Sequence, residues 1–454
     1  MPYEGEFASY GPLRRLVQSS KVQELLRRYR IVNRAAGTGT AQAFPQFDEA
    51  QHEGPLPAWV LAIDGSHAEV ALQNGFPGAE ASYVTVASVL IDMAKMAQLD
   101  RARPMNPVEF RKVERSETID AALPGANVVF EGDESAQQSL RRALLDVMQG
   151  VRMSEDGESL LDTYEALLAY KPTAGHEQQC PYPDCEALDG LYVRGSGSYK
   201  CRCRLAKPLF STDALRIHEG LNEAGTNGAA FAEVMQVWER IWVIHILRTL
   251  EKKGWLSLLS KVAVVLDGPL AVFGHPAWLS QAISDELIRL NELVKQEAEG
   301  QDMLMLGIEK TGSFVDHFEQ LDSGPNGEPE WFPQRGYLLF DDDYIKKNVI
   351  FSSSTKPYGI DTYYGRKFLY KTTSGARIVG SVPFLSADDK DLTRAEADQY
   401  PRLFDALSLL NHVASSRFEN AVSPLISAHA EAAIPLSLGS KVLEKLAREL
   451  IGQM

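Results

Sequence analysis

Two apolar runs end in the same way. Residues 58–63 lead into Asp64-Gly65-Ser66, and residues 262–266 into Asp267-Gly268-Pro269. In open α/β sheets, ligands bind beyond the carboxyl ends of strands, and an aspartate there can point into the crevice while the following glycine lets the chain turn away. Two such ends on neighbouring strands bring two carboxylates together, and like charges at that separation are costly without a cation between them. Oxygen donors favour Mg²⁺ or Mn²⁺. Asp-Gly is also a common turn, so this reading rests on the pair. Further ligands are sought in Glu219 and His429. Glu219 lies three residues after Arg216, on one face of a predicted helix over 212–219; the same spacing also makes a surface salt bridge. His429 stands in Pro424-Leu425-Ile426-Ser427-Ala428-His429, where a histidine among apolar residues can equally be a plain core or surface residue. Lys310, before Thr311-Gly312-Ser313, can bind a phosphate or simply be solvated.

A second constellation is Cys180-x4-Cys185-x15-Cys201-x-Cys203, which holds all four cysteines of the chain. The two close pairs flank a Gly-Ser turn at residues 195–198, so a hairpin carries the second pair back to the first. That is the ligand set of a tetrahedral Zn²⁺ site; the alternatives are four free thiols or two disulfides. Four thiolates close the coordination sphere and leave no position for a reacting water, so the expected role is structural, or contact with DNA or a partner.

The elements that must position these residues alternate. Strands are predicted over 58–63, 83–91, 108–113, 127–130, 262–266, 303–308, 337–340, 366–371 and 376–383. Helices are predicted over 10–34, 134–150, 157–169, 212–219, 228–252, 276–299, 394–415 and 439–452. This is an α/β chain. The expected organisation is a basic helix and linker over 1–56, a main domain over 57–454, and a zinc-ribbon-like insertion over 176–206 within it. The first helix concentrates Arg14, Arg15, Arg27, Arg28, Arg30 and Arg34, as a solvated face or as a DNA or partner contact.

The chain has 454 residues and a formal charge of −15. That balance argues against a protein that coats nucleic acid, but not against a nuclease with a local basic channel. No apolar run approaches the length of a membrane span, and the first residues do not read as a signal peptide. Sparse cysteine use fits a reducing cytoplasm.

Taken in order, Ile63-Asp64-Gly65-Ser66, Arg216-x-x-Glu219, Leu266-Asp267-Gly268-Pro269-Leu270, Gly307-Ile308-Glu309-Lys310-Thr311 and Pro424-Leu425-Ile426-Ser427-Ala428-His429 resemble the NurA nuclease family, as a scattered motif set over roughly 57–454. The resemblance implies an RNase H-like mixed sheet flanked by helices and a toroidal homodimer. It also implies Mn²⁺- or Mg²⁺-dependent cleavage of DNA and partnership with a HerA-type hexameric ATPase. By motif, Asp64, Glu219, Asp267 and His429 become the metal ligands of a two-metal phosphodiesterase, with Lys310 or Arg216 offsetting charge on the phosphate. The chain departs from the pattern in two places. Ala421-Val422 stand where the family commonly has Tyr-Pro, and the four-cysteine insertion is one that many members lack. Two other functions compete: a non-catalytic adapter on a degenerate core, and a phosphatase or nucleotide hydrolase for small substrates. There is no Walker-type phosphate loop for an intrinsic ATPase.

Overall fold

A computed structural model describes residues 11–29, 44–73, 75, 78–97, 114–171, 178–182, 184–185, 191–192, 194–323, 331–415 and 421–433. The expected strand over 108–113 and the closing helix over 439–452 lie outside these residues.

Twelve strands are described. β1 (Trp59–Gln73), β2 (Ala79–Asp92) and β3 (Glu114–Pro124) form an antiparallel meander. β4 (Gln178–Gln179), β5 (Leu191–Tyr192), β6 (Ser198–Lys200) and β7 (Pro208–Phe210) build two small ribbons, β4 with β5 and β6 with β7. β8 (Val262–Asp267) pairs parallel to β1, and β9 (Leu304–Glu309) pairs parallel to β8. β10 (Tyr337–Leu339), β11 (Gly365–Lys371) and β12 (Arg377–Pro383) extend that edge antiparallel. The large sheet has eight strands in the order β10-β11-β12-β9-β8-β1-β2-β3. Its β3-β2-β1-β8-β9 portion, a meander continued by two parallel strands, is the RNase H-like arrangement.

Both faces of this sheet are covered. On one, Val237, Trp238, Ile241 and Ile244 of the helix Gly228–Lys252 join Leu279, Ile283, Leu287 and Leu290 of the helix Leu279–Glu297. The helices Ala136–Gly150 and Leu160–Leu168 close over them. The 228–252 helix is apolar nearly all round because it lies between the sheet and these outer helices. On the other face, Val60, Ala62, Val265 and Leu306 pack under the helices Leu403–Val413 and Ser423–Ala432. Covered on both sides, β8 and β9 are continuously apolar, as buried parallel strands must be. Among the described residues, no helix is long and apolar enough to cross a membrane.

Several boundaries differ from those expected. β1 does not stop at Asp64. Gly65 and Ser66 pair with Val86 and Thr85, and the ladder runs on to Gln73, because Ala68 and Val70 continue the alternation of buried positions. Residues 212–219 form no α-helix but two 3₁₀ turns, Ser211–Leu215 and Ile217–Gly220, separated by Arg216 in the left-handed conformation (φ 60°). Asp213, taken by the Arg141 guanidinium and the Phe210 N–H, anchors the chain in that turn. Residues 127–130 form no strand; the chain turns at Asn127, which has φ 57°. The first helix is two, Gly11–Gln18 and Ser20–Arg27, with the Ser19 hydroxyl capping the second at Val22 N–H. The 394–415 helix begins only at Leu403, after Arg402 at φ 52°.

The small ribbons dock on the helical face through a buried ion pair. Arg141 Nε and Nη2 each donate to an Asp213 oxygen at 2.7 Å. The Arg141 guanidinium also stacks over Tyr182 at 4.8 Å and Phe210 at 5.2 Å.

Candidate active site and metal centre

The parallel ladder of β1 and β8 pairs Ile63 with Leu266, so the next residues on the two strands are Asp64 and Asp267. Strands in a sheet lie about 4.8 Å apart, so this register sets the two aspartates side by side. Asp64 continues the alternation of Val60 and Ala62, and Asp267 that of Ala263 and Val265, which puts both on the face covered by the 403–413 and 423–432 helices. β8 ends at Asp267. Gly268, at φ 77°, turns the chain away and opens a crevice of about 480 Å³. Asp64, Asp267, Glu309, Lys310, Thr311 and His429 line it, with Gly65, Gly268 and Pro269.

Four of the sequence-predicted residues therefore meet here. Asp64 is 2 % exposed. Its Oδ1 accepts the Gly65 N–H at 2.8 Å, and its Oδ2 lies 3.1 Å from His429 Nδ1. Lys310 Nζ is 2.8 Å from Asp267 Oδ1, an ion contact without hydrogen-bond alignment. Burial pushes the Asp64 carboxyl up to about 6; repulsion from Asp267 adds to this, while Lys310, His429 and the Gly65 amide oppose it. A carboxylate so placed is short of positive charge.

Glu219 and Arg216 are placed elsewhere. They do not line the crevice. Arg216 donates to Glu219 through Nε at 2.9 Å and Nη2 at 2.6 Å, an exposed bidentate pair that draws the Glu219 carboxyl down. The third carboxylate near the aspartates is Glu239, on the helix Gly228–Lys252. It is 4 % exposed and ion-paired to Arg240 Nη1 at 2.6 Å. Its carboxyl is pushed up to about 8, first by burial; Arg240 opposes, and the Asp64 and Asp267 charges add to the rise. It approaches the aspartates from the opposite side of the sheet, packed against Gly65, and is not among the residues that line the crevice. A Cβ on that glycine would meet Glu239 Oε1 at 2.6 Å and Met235 Cγ at 2.7 Å. Arg240 Nη2 donates to the carbonyls of Asp267 at 3.1 Å and Pro269 at 3.3 Å, so one helix turn braces both strand ends. Glu239 carries no motif, but its signal was present: a Glu-Arg pair inside Val237-Trp238-Glu239-Arg240-Ile241-Trp242, where every neighbour is core. Glu309 was missed as well; it is buried at the crevice wall with Lys367 Nζ at 2.7 Å.

The donor types suit a divalent cation, although among the described residues no three of these ligand atoms lie within 4.8 Å of one another. Asp64, Asp267, Glu309 and His429 line the crevice with carboxylate oxygens and an imidazole nitrogen, and an ammonium, that of Lys310, stands among the carboxylates where positive charge is favoured.

The cysteines form a separate centre. Among the described residues, the one set of three Cys, His or carboxylate ligand atoms lying within 4.8 Å of one another is Cys180, Cys185 and Cys201. Cys201 Sγ is 3.8 Å from Cys180 Sγ and 3.4 Å from Cys185 Sγ. These separations exclude disulfides, and all four thiols are free. Cys203 belongs to the same buried cluster, and its N–H donates to Cys201 Sγ at 3.5 Å. Burial pushes the Cys180 thiol up to about 12, whereas backbone amides, that of Lys207 foremost, draw Cys203 down.

The family described as the NurA domain matches residues 59–416. Among solved structures, the chain is similar to the NurA nuclease from Sulfolobus solfataricus, at 11 % identity and a TM-score of 0.30, over 98 % of this chain and 94 % of that one. No curated protein matches.

Proposed function

The chain belongs to the NurA domain family, and from that premise we propose that it is a nuclease that cleaves DNA phosphodiester bonds at the Asp64–Asp267 crevice with the help of Mn²⁺ or Mg²⁺. The observation that carries the reading is the register that sets Asp64 beside Asp267 with Lys310 between charges.

Asp64 and Asp267 would hold the cations, with His429 and Glu239 completing the set in place of Glu219, whose carboxylate is committed to Arg216. When bound, the ions supply the positive charge that activates a water and offsets charge on the leaving oxygen. Asp64 orients His429 through Nδ1, and the pair can hold a proton between Nδ1 and Oδ2. Lys310, which contacts Asp267 at 2.8 Å, would offer its ammonium to the phosphate were that carboxylate engaged by a cation. Glu309, fixed by Lys367, walls the crevice. Gly268 and Pro269, braced by Arg240, keep the strand end open.

In the ribbon, Cys180, Cys185, Cys201 and Cys203 would bind a structural Zn²⁺, the first, second and third already grouped and Cys203 in the same buried cluster. Such thiolates suit a reducing compartment, the cytoplasm. Family membership also supports a homodimer and coupling to a HerA-type hexameric ATPase; sedimentation of the purified protein alone and mixed with such an ATPase tests both. The test of the main reading is cleavage of linear and plasmid DNA with and without Mn²⁺. Asp64→Asn and Asp267→Asn should each abolish cutting, and wild-type rates in both variants would overturn the assignment.

A further inference from the structure

The second half of the cysteine ribbon carries a charge opposite to that of the chain as a whole. With 46 Lys and Arg against 61 Asp and Glu, the surface at large repels nucleic acid, so DNA must be met by local patches. Residues 194–207 contain Arg194, Lys200, Arg202, Arg204 and Lys207 and no acidic residue. Two of these cations are engaged within the ribbon's own base: Lys207 Nζ with Asp184 Oδ1 at 2.6 Å, and Arg194 Nη2 with the Lys171 carbonyl at 3.0 Å. Lys200, Arg202 and Arg204 have exposed side chains. Lys200 and Arg202 make no ion pair among the described residues. They alternate with the buried Cys201 and Cys203, so the sulfurs face inward and the cations outward along one short stretch.

This stretch is held stiffly. Cys201 N–H donates to the Lys207 carbonyl at 2.8 Å and Ala206 N–H to that of Cys203 at 2.9 Å. Gly197 N–H donates to Glu165 Oε1 at 2.6 Å, and Tyr182 Oη–H to the Pro208 carbonyl at 2.9 Å. The buried Arg141–Asp213 pair lies beneath. A backbone already held spares the cost of ordering the loop when its side chains meet a phosphate. Four thiolates around one divalent ion would carry a net charge of −2, which two of the five cations offset, leaving the others to face solvent.

We propose that the ribbon grips the sugar-phosphate backbone of the DNA substrate through Lys200, Arg202 and Arg204, at a site separate from the crevice. The inference rests on DNA being the substrate of that crevice. The contact is to phosphates rather than bases and is therefore indifferent to sequence. The test uses full-length protein and a fluorescein-labelled DNA duplex in metal-free buffer, with anisotropy read over a range of salt. Replacing Lys200, Arg202 and Arg204 together by Ser should lower the slope of log Kd against log salt by about 2–3 and weaken binding about tenfold or more near 0.1 M salt. The Arg202→Lys/Arg204→Lys variant, which keeps the charges, should bind as the wild type does. An unchanged slope in the Ser variant overturns the proposal, whether or not zinc is lost: the cations would then serve the thiolate cluster or a protein partner. Weakening in the Lys variant equal to that in the Ser variant overturns it too, because charge would not be the cause. Hydrolysis of bis(p-nitrophenyl) phosphate with Mn²⁺, measured alongside, reports on the crevice alone. Its absence in the wild type would sink the nuclease reading without touching the binding result.

Discussion

Asp64→Asn should make the metal-free protein more stable while destroying its activity. In the folded chain the Asp64 carboxyl is held up at about 6, against 3.8 for the ordinary group, by burial and by the Asp267 charge. Each tenfold change in proton affinity corresponds to about 1.4 kcal/mol, so ionised Asp64 costs the fold about 3 kcal/mol at neutral pH. A raised carboxyl binds more protons folded than unfolded. The cost is therefore absent below pH 4, grows as pH rises from 4 to 6, and is fully present above 6. Asparagine removes the charge but weakens the contacts to Gly65 N–H and His429, a loss of about 1 kcal/mol. The net gain at pH 7.5 is about 1–2 kcal/mol. With about 2 cal/mol/K of unfolding entropy per residue, a chain of this length gains about 1–2 °C in Tm. Differential scanning fluorimetry in EDTA from pH 4.5 to 8 would show the wild type losing stability relative to Asp64→Asn as pH rises. Added Mn²⁺ should then stabilise the wild type more than the variant. If the variant melts at or below the wild type throughout, or if Mn²⁺ raises both equally, the carboxylates do not share a charge-starved site.

Four further outcomes follow from the same contacts. Glu239→Gln should reduce DNA cleavage by about 100-fold and Glu219→Gln by less than about twofold; initial rates in Mn²⁺ settle the order, and the reverse ranking would return the ligand role to Glu219. Gly65→Ala forces a methyl group against Glu239 Oε1 and Met235 and should cost about 1–3 kcal/mol in urea unfolding; a neutral result would mean that Glu239 is not packed behind Asp64. Cys185→Ser should release the ribbon's metal, read as loss of stoichiometric zinc by plasma mass spectrometry, whereas full retention would remove Cys185 from the ligand set. His218 and His245 are buried and held down to about 4, so they bind fewer protons folded than unfolded. Each should cost about 1–2 kcal/mol of stability as pH falls from 6.5 to 5, and His245→Gln should flatten that part of the profile.

The aspartates were legible because each follows a β-branched apolar run and precedes a glycine, a pattern in which strand, turn and carboxylate are local facts. Lys310 and His429 stood out only because their stretches resemble family motifs; taken alone, each had an equally plain reading as a solvated or core residue. The parallel pairing of β1 with β8, which makes the two aspartates neighbours, is not local: more than two hundred residues separate them, and only the sheet shows which residues align. Glu239 was hidden for the opposite reason. Its helix is apolar on nearly every side, and helical periodicity there reports burial rather than which buried residue reaches through a gap left by a glycine. Glu219 drew notice by its spacing from Arg216, yet Arg216 adopts a left-handed backbone that breaks the expected helix and turns the pair upon itself. β1 was cut short because Asp-Gly-Ser has the composition of a turn, whereas pairing with β2 carries it straight through.

The Lys310 ammonium beside Asp267 gives the chain a built-in tenant for its most acidic corner. The crevice thus carries one positive charge of its own among its carboxylates. Were a cation to take that place, Lys310 would be the side chain displaced, and its length would keep the freed ammonium within reach of the same crevice.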